Sequence, residues 1–140
     1  MNFEAIVDFF LNRMDSEMIF EFVERSEYLV LYNIKKCMDA SGEDKAYMSD
    51  IADRMNVSII NTSKAINALA DKGYVSWKTD ESKERTYVTF TSKAKELMEK
   101  QNQRMENAYM KISEEIPKEE IIQTLSTLDK VRSIIKEVNK

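Results

Sequence analysis

The sequence predicts a mostly α chain carrying one small β-hairpin. Apolar residues recur at helical spacing along most of its 140 residues. Between Gly73 and Thr91 the period falls from about 3.6 residues to 2. Two glycines and one proline punctuate these segments.

The elements follow in order. Phe3, Ile6, Val7, Phe10 and Met14 share one helical face, which predicts a first helix over residues 3–14. A second helix, over 26–39, sets Val30, Ile34, Cys37 and Met38 on one side. Gly42 lies in the loop Ala40-Ser41-Gly42-Glu43-Asp44. A short third helix, over 49–56, turns Ile51, Ala52 and Met55 inward. Ser58 reads as the N-cap of a fourth helix that runs to about Lys72. Thr62, Ala65, Ile66 and Leu69 form its inner face, and Gly73 stands where a C-terminal cap belongs.

Tyr74-Val75-Ser76-Trp77-Lys78 reads as a strand, residues 79–84 as a polar tip, and residues 85–90 as the returning strand. A lone two-stranded hairpin is marginal in water, so this one must lean on the helices. Ser92 opens a long helix striped by Ala94, Leu97, Met98, Gln101, Met105, Ala108 and Ile112. Pro117 fits the first turn of a last helix, striped by Ile121, Leu125, Leu128, Val131, Ile135 and Val138.

Composition removes whole classes of chemistry. There is no histidine, so imidazole acid–base work, His-containing triads and His-ligated metals are excluded. Two glycines cannot build a dinucleotide-binding turn or a Walker loop. One cysteine forms no internal disulfide and no Cys-rich zinc site, and it fits a reducing compartment. No metal and no cofactor are expected. No run of 18 apolar residues spans a membrane, and residues 1–20 lack the features of a signal peptide. A cytoplasmic protein is expected. Cys37, on the apolar face of its helix, reads as a buried structural thiol.

The net charge is −4, but it is unevenly placed. Residues 54–95 carry +4 and the remainder −8. A basic middle in an acidic body suits a surface facing a polyanion, or is simply an uneven solvated surface.

Helix, tight turn, helix and hairpin together make a winged helix-turn-helix, with the fourth helix as the candidate recognition helix. The residues that carry a closer likeness are Asp50-Ile51-Ala52-Asp53-Arg54-Met55-Asn56-Val57-Ser58, then residues 62–69, then Asp71-Lys72-Gly73-Tyr74-Val75. A hairpin with Asp80 and Arg85 follows, then Val88-Thr89-Phe90-Thr91 leading into the long helix. Over about residues 47–98 the chain resembles the MarR-type transcriptional regulators. Three positions depart from that pattern. Lys83 stands where the family usually has a second Asp, Ile59 where it commonly has a cation, and Tyr47 where a threonine caps the third helix.

The candidate DNA-contacting residues are Ser58, Ile60, Asn61, Thr62, Ser63, Lys64, Asn67, Lys78, Lys83 and Arg85. Ile60 suits thymine methyls, or packs on the preceding helix. Lys64 suits guanine or phosphate, and Asn61 and Asn67 suit adenine edges. Ser58, Thr62 and Ser63 can donate to phosphates, although Ser58 also caps its helix. Arg85 suits a narrow minor groove, or a salt bridge with Asp80 or Glu81 that shapes the wing, and both can hold at once. Trp77 reads as a packing residue under the wing.

One MarR-like domain over 1–140 is expected, with the winged helix-turn-helix at 28–91 and dimerisation helices at 1–25 and 92–140. The first helix region carries more large apolar residues than one chain buries: Phe3, Ile6, Val7, Phe9, Phe10 and Leu11, then Met18, Ile19, Phe20 and Phe22. The resemblance implies that the end helices interlock two chains, so that a homodimer reads a pseudo-palindromic duplex, most often as a repressor. It also implies a crevice for a small aromatic effector, for which Tyr28, Tyr32 and Met38 are candidates. The competing class is a winged helix that binds protein and no specific DNA sequence. An enzyme is the remaining class, and no paired-acid site stands out.

Overall fold

The computed structural model describes residues 2–13 and 19–140. Met14 and Met18 lie outside the described residues. The order of elements is α1 (Phe3–Asp8) with a π-helical turn (Phe9–Arg13), α2 (Arg25–Ser41), β1 (Ala46–Tyr47), α3 (Met48–Met55), α4 (Ile59–Asp71), β2 (Val75–Asp80), β3 (Arg85–Phe90), α5 (Ser92–Glu115) and α6 (Lys118–Val138). The chain divides into two compact units, Met1–Asn102 and Gln103–Lys140. A mostly helical winged-helix fold is what the sequence led us to expect.

The first unit is built on a three-stranded antiparallel sheet in the order β1-β3-β2. Ala46 and Tyr47 of β1 lie opposite Val88 and Tyr87 of β3. In the hairpin, Val75 faces Phe90 and Asp80 faces Arg85. Helices α2, α3 and α4 supply most of the rest of the core, with Val23, Tyr74 and Ala94 of α5 also buried. Leu31, Ile34, Ile51, Ile66 and Val88 are fully buried, each contributing about 1.5–3 kcal/mol over an exposed side chain. The third strand was not expected. A two-residue strand shows no alternation to read.

Both joints of the helix-turn-helix end on the same local device. Asn56 follows α3 at φ 55°, and Val57 N–H reaches back to the Ala52 carbonyl at 3.1 Å. Gly73 follows α4 at φ 80°, and Tyr74 N–H reaches the Leu69 carbonyl at 2.9 Å. A left-handed residue closes the last turn in this way at least strain when it is Gly or Asn. Ser58 then opens α4, its Oγ accepting from Asn61 N–H at 3.1 Å. Thr91 joins the hairpin to α5: its hydroxyl donates to the Gly73 carbonyl at 2.6 Å and accepts from Ala94 N–H at 3.3 Å.

Gln101 of α5 is fully buried yet polar. Its Oε1 accepts from the Glu21 and Phe22 N–H groups at 3.2 and 3.3 Å, and its Nε2 donates to the Ile19 carbonyl at 2.8 Å. One side chain therefore satisfies three backbone groups of an irregular segment, as burial demands.

The first helix is shorter than its apolar spacing suggests. It ends at Asp8, and the wider turn at 9–13 breaks the 3.6-residue repeat. It buries no residue, with Phe3 79% exposed, and Leu11 of the following turn is 76% exposed. The second unit, the end of α5 with α6, likewise exposes Tyr109, Met110, Leu125, Ile134 and Val138. Pro117 is the N-cap residue of α6, one position before the helical turn the sequence assigned it.

Gln101→Leu keeps the volume but orphans three backbone groups. It should lower unfolding free energy by about 2–4 kcal/mol in urea titration, and amide exchange should rise first at residues 19–22.

Candidate nucleic-acid interface

α4 is anchored on one side and open on the other. Thr62, Ile66 and Leu69 are buried at 1%, 0% and 2% exposure. At 100° per residue, anchoring those three turns the opposite face outward. Ile59, Ile60, Asn61, Lys64 and Asn67 are exposed there, with Ile60 at 69%. That exposure rules out packing against α3 as the role of Ile60. Ser58 is exposed at the helix start, and Ser63 is half-buried.

Thr62 is a correction. Its side chain is buried and its hydroxyl donates to the Ser58 carbonyl at 2.9 Å, so it cannot present a donor to a phosphate. It holds the first turn of α4 against the core instead.

The hairpin flanks α4, and together with the start of α3 they border an open groove of about 400 Å³. Met48, Ile59 and Trp77 form its apolar lining, while Ser63, Asn67, Arg85 and Thr86 offer polar groups. Trp77 is 49% exposed, so it closes one side of this groove rather than lying beneath the wing. Lys78 and Lys83 are exposed on the hairpin.

The wing turn is organised by Asp80. Its Oδ1 accepts from the Ser82 hydroxyl at 2.7 Å and the Ser82 N–H at 3.2 Å. Its Oδ2 accepts from the Tyr47 hydroxyl at 3.3 Å and lies 3.7 Å from Lys45 Nζ. Lys83 N–H closes the turn onto the Asp80 carbonyl at 3.2 Å. Glu84 then returns the chain to β3 at φ 52°, a left-handed conformation that disfavours any side chain beyond glycine. The Ser82 hydroxyl above all, with Tyr47 and Lys45 assisting against partial desolvation, holds the Asp80 carboxyl below its ordinary range.

Arg85 does not bridge to Asp80 or Glu81. Asp80 is already engaged by Ser82, Tyr47 and Lys45, and Arg85 turns toward α3 instead. Its Nη2 lies 2.9 Å from Ser49 Oγ and 3.3 Å from Asp50 Oδ2. Its guanidinium carbon sits 3.9 Å from the centre of the Tyr47 ring. Lys83 and Lys45 Nζ lie 5.5 and 5.6 Å from the same ring. Cation–ring contacts at these distances are each worth about 0.5–2 kcal/mol, more as water is excluded. Tyr47 is 8% exposed and sets its ring edge-on to Tyr87 at 6.4 Å. The sequence marked Tyr47 only as a missing cap, and α3 indeed has no side-chain cap there. Its role in the wing follows from pairing with Tyr87, 40 residues along the chain.

Tyr28 and Met38 are buried, and Tyr32 is exposed with Lys36 over its ring at 5.5 Å. Burial first, then the neighbouring Tyr32, raises the Tyr28 hydroxyl. Cys37 is half-buried rather than buried. Desolvation first and the Asp50 carboxylate second raise its thiol, against Arg54, so it is poorly disposed to form a thiolate. Among the described residues, no group of three His, Cys, Asp or Glu is placed to hold a metal ion. No helix among them is long and apolar enough to cross a membrane.

Residues 23–94 match the family model described as a winged helix DNA-binding domain. The chain belongs to that family. Its fold is that of the MarR-type proteins, as the sequence resemblance implied. A mutant MarR from E. coli in complex with operator DNA aligns at a TM-score of 0.69 and 14% identity, over 94% of this chain and 98% of that one. The MepR–DNA complex of S. aureus aligns at 0.67 and 16% identity, over 95% and 94%. FabT of Streptococcus pneumoniae in complex with DNA aligns at 0.64 and 17% identity, over 96% and 87%. No curated protein sequence matches.

Two outcomes test this description of the winged helix. An NMR titration of the Asp80 carboxyl should give a midpoint below the ordinary value near 3.9. A lowered folded-state value stabilises the protein above about pH 4 and loses that effect as pH falls through the folded midpoint. Asp80→Asn should therefore lower the melting temperature at pH 7, and the difference should shrink toward pH 3. Glu84→Gly relieves the left-handed strain and removes a carboxylate from the wing. It should leave stability within about 1 kcal/mol of wild type or raise it, as read by urea titration.

Proposed function

We propose that the chain is a sequence-specific, double-stranded DNA-binding transcriptional regulator that acts as a homodimer, as a repressor released by a small-molecule or stress signal. The observation that carries this reading is the outward face of α4. Ile60, Asn61, Lys64 and Asn67 stand exposed on a helix whose opposite face is fixed in the core, beside a wing that carries Lys78, Lys83 and Arg85. Apolar and amide side chains near a helix start read base edges, while lysines and serines hold phosphates. Ser58 can still donate its proton to a phosphate while its oxygen caps the helix. The DNA-bound structural neighbours support the same reading of this chain.

The exposed apolar residues of the end helices support dimerisation, since surface of that kind is costly in water. A two-fold dimer would place two α4 helices on half-sites about 34–36 Å apart, one turn of duplex. Occupying a promoter then blocks transcription. A bound effector would act by changing that spacing, and the likeness to the MarR-type regulators points to a small aromatic molecule as its class. The protein would work in the cytoplasm, where its single thiol stays reduced.

Selection from a random duplex pool should enrich an inverted repeat. Lys64→Ala should weaken binding to every duplex alike and reduce the salt slope by about one unit. Ile60→Ala should relax preference at a thymine position by about tenfold with the slope unchanged. A folded protein that enriches nothing, even at low salt, would favour the protein-interaction reading and overturn this one.

A further inference from the structure

We propose that Tyr47 is the wing-positioning residue: its buried ring gathers Lys83 and Arg85 and aims them at the phosphates. This rests on the DNA-binding reading above. Three observations carry it, all on one side chain. The ring centre lies 3.9 Å from the Arg85 guanidinium carbon and 5.5 Å from Lys83 Nζ. The ring is held in the sheet, because β1 pairs with β3 and places Tyr47 opposite Tyr87 at 8% exposure. The hydroxyl donates to Asp80 Oδ2 at 3.3 Å, the same carboxylate that shapes the wing turn through Ser82.

The chemistry favours orientation over neutralisation. An aromatic face attracts a cation without cancelling its charge, so Lys83 resting on it keeps its attraction for a phosphate, while Arg85 shares part of its charge with the Asp50 carboxylate at 3.3 Å. Two flexible side chains held on a fixed ring lose little further freedom on binding. Asp50 and Ser49 bind one edge of the Arg85 guanidinium through Nη2 alone, leaving its other donors available. Lys45 Nζ also lies near, 5.6 Å from the Tyr47 ring and 4.9 Å from the Tyr87 ring.

Tyr47→Leu and Tyr47→Phe test the assignment, each checked for folding by circular dichroism and melting temperature. Amide exchange of the free protein is read at residues 80–87 and, as an internal control, at Ile66 and Leu69. Affinity for the selected operator is read across a salt series. Tyr47→Leu should raise wing exchange about tenfold with the control amides unchanged. It should weaken binding about tenfold and lower the salt slope by about one to two units, because oriented phosphate contacts are lost. Tyr47→Phe keeps the ring and should retain the wild-type slope and bind within about threefold.

A merely structural role would reduce the active fraction and leave the slope intact. A wild-type slope in Tyr47→Leu, wild-type wing exchange, or a Tyr47→Phe indistinguishable from Tyr47→Leu would each overturn the proposal. Failure of the wild type to bind any duplex would instead overturn the DNA-binding reading, and the positioning of the wing would still be decided by the exchange data.

Discussion

The two residues of β1 join the helical part of the winged helix to its wing. Ala46 and Tyr47 pair with Val88 and Tyr87, and the next residue, Met48, already begins α3. Without that pairing the hairpin would be a two-stranded ribbon, which is marginal in water. With it, β3 becomes a central strand, Val88 is sealed from solvent, and the wing is fixed against the helix that precedes the recognition helix. The position of Arg85 follows from the same pairing. A guanidinium at the start of β3 is brought over the Tyr47 ring and within reach of Ser49 and Asp50 only because β1 lies alongside.

The recognition helix shows how a fixed face and an open face come from one set of side chains. Thr62, Ile66 and Leu69 hold α4 in the core, and the turn is closed at both ends by left-handed residues suited to it, Asn56 and Gly73. What remains outward combines two isoleucines, two asparagines and a lysine. Apolar side chains of that size are ill suited to a solvated surface and well suited to thymine methyls. In the proposed reading, the lysine would supply the salt-dependent attraction that brings a duplex near. An acidic whole-chain charge is compatible with this, because a polyanion responds to the local field of the surface it meets.

Apolar surface elsewhere is distributed differently. The first helix buries nothing, although it carries Phe3, Ile6 and Val7, and α6 buries nothing, although it carries a row of large aliphatic residues. Gln101 belongs to the opposite regime. It is a polar side chain deep in the first unit, tolerated because each of its bonding groups meets a backbone partner.

By itself the sequence determined the number of helices in the core, the hairpin, the caps at Ser58 and Gly73, and the inner face of α4 at Thr62, Ile66 and Leu69. These depend on the 3.6- and 2-residue repeats and on the backbone preferences of single residues, all of them local. It also carried the MarR-type pattern over residues 47–98. Only the tertiary structure decided the third strand, the burial of Thr62, the half-exposed Trp77 and the partners of Arg85. Thr62 has a donor of the right chemistry in the right helix, yet the Ser58 carbonyl four residues back accepts its hydrogen bond. Arg85 has two acids nearby in sequence, yet both of its acceptors come from α3, 35 and 36 residues away. Tyr47 looked like the loss of a cap because its ring acts on residues 33 to 40 positions distant. Local spacing cannot encode such contacts: they exist only once strand pairing has brought remote segments of the chain together.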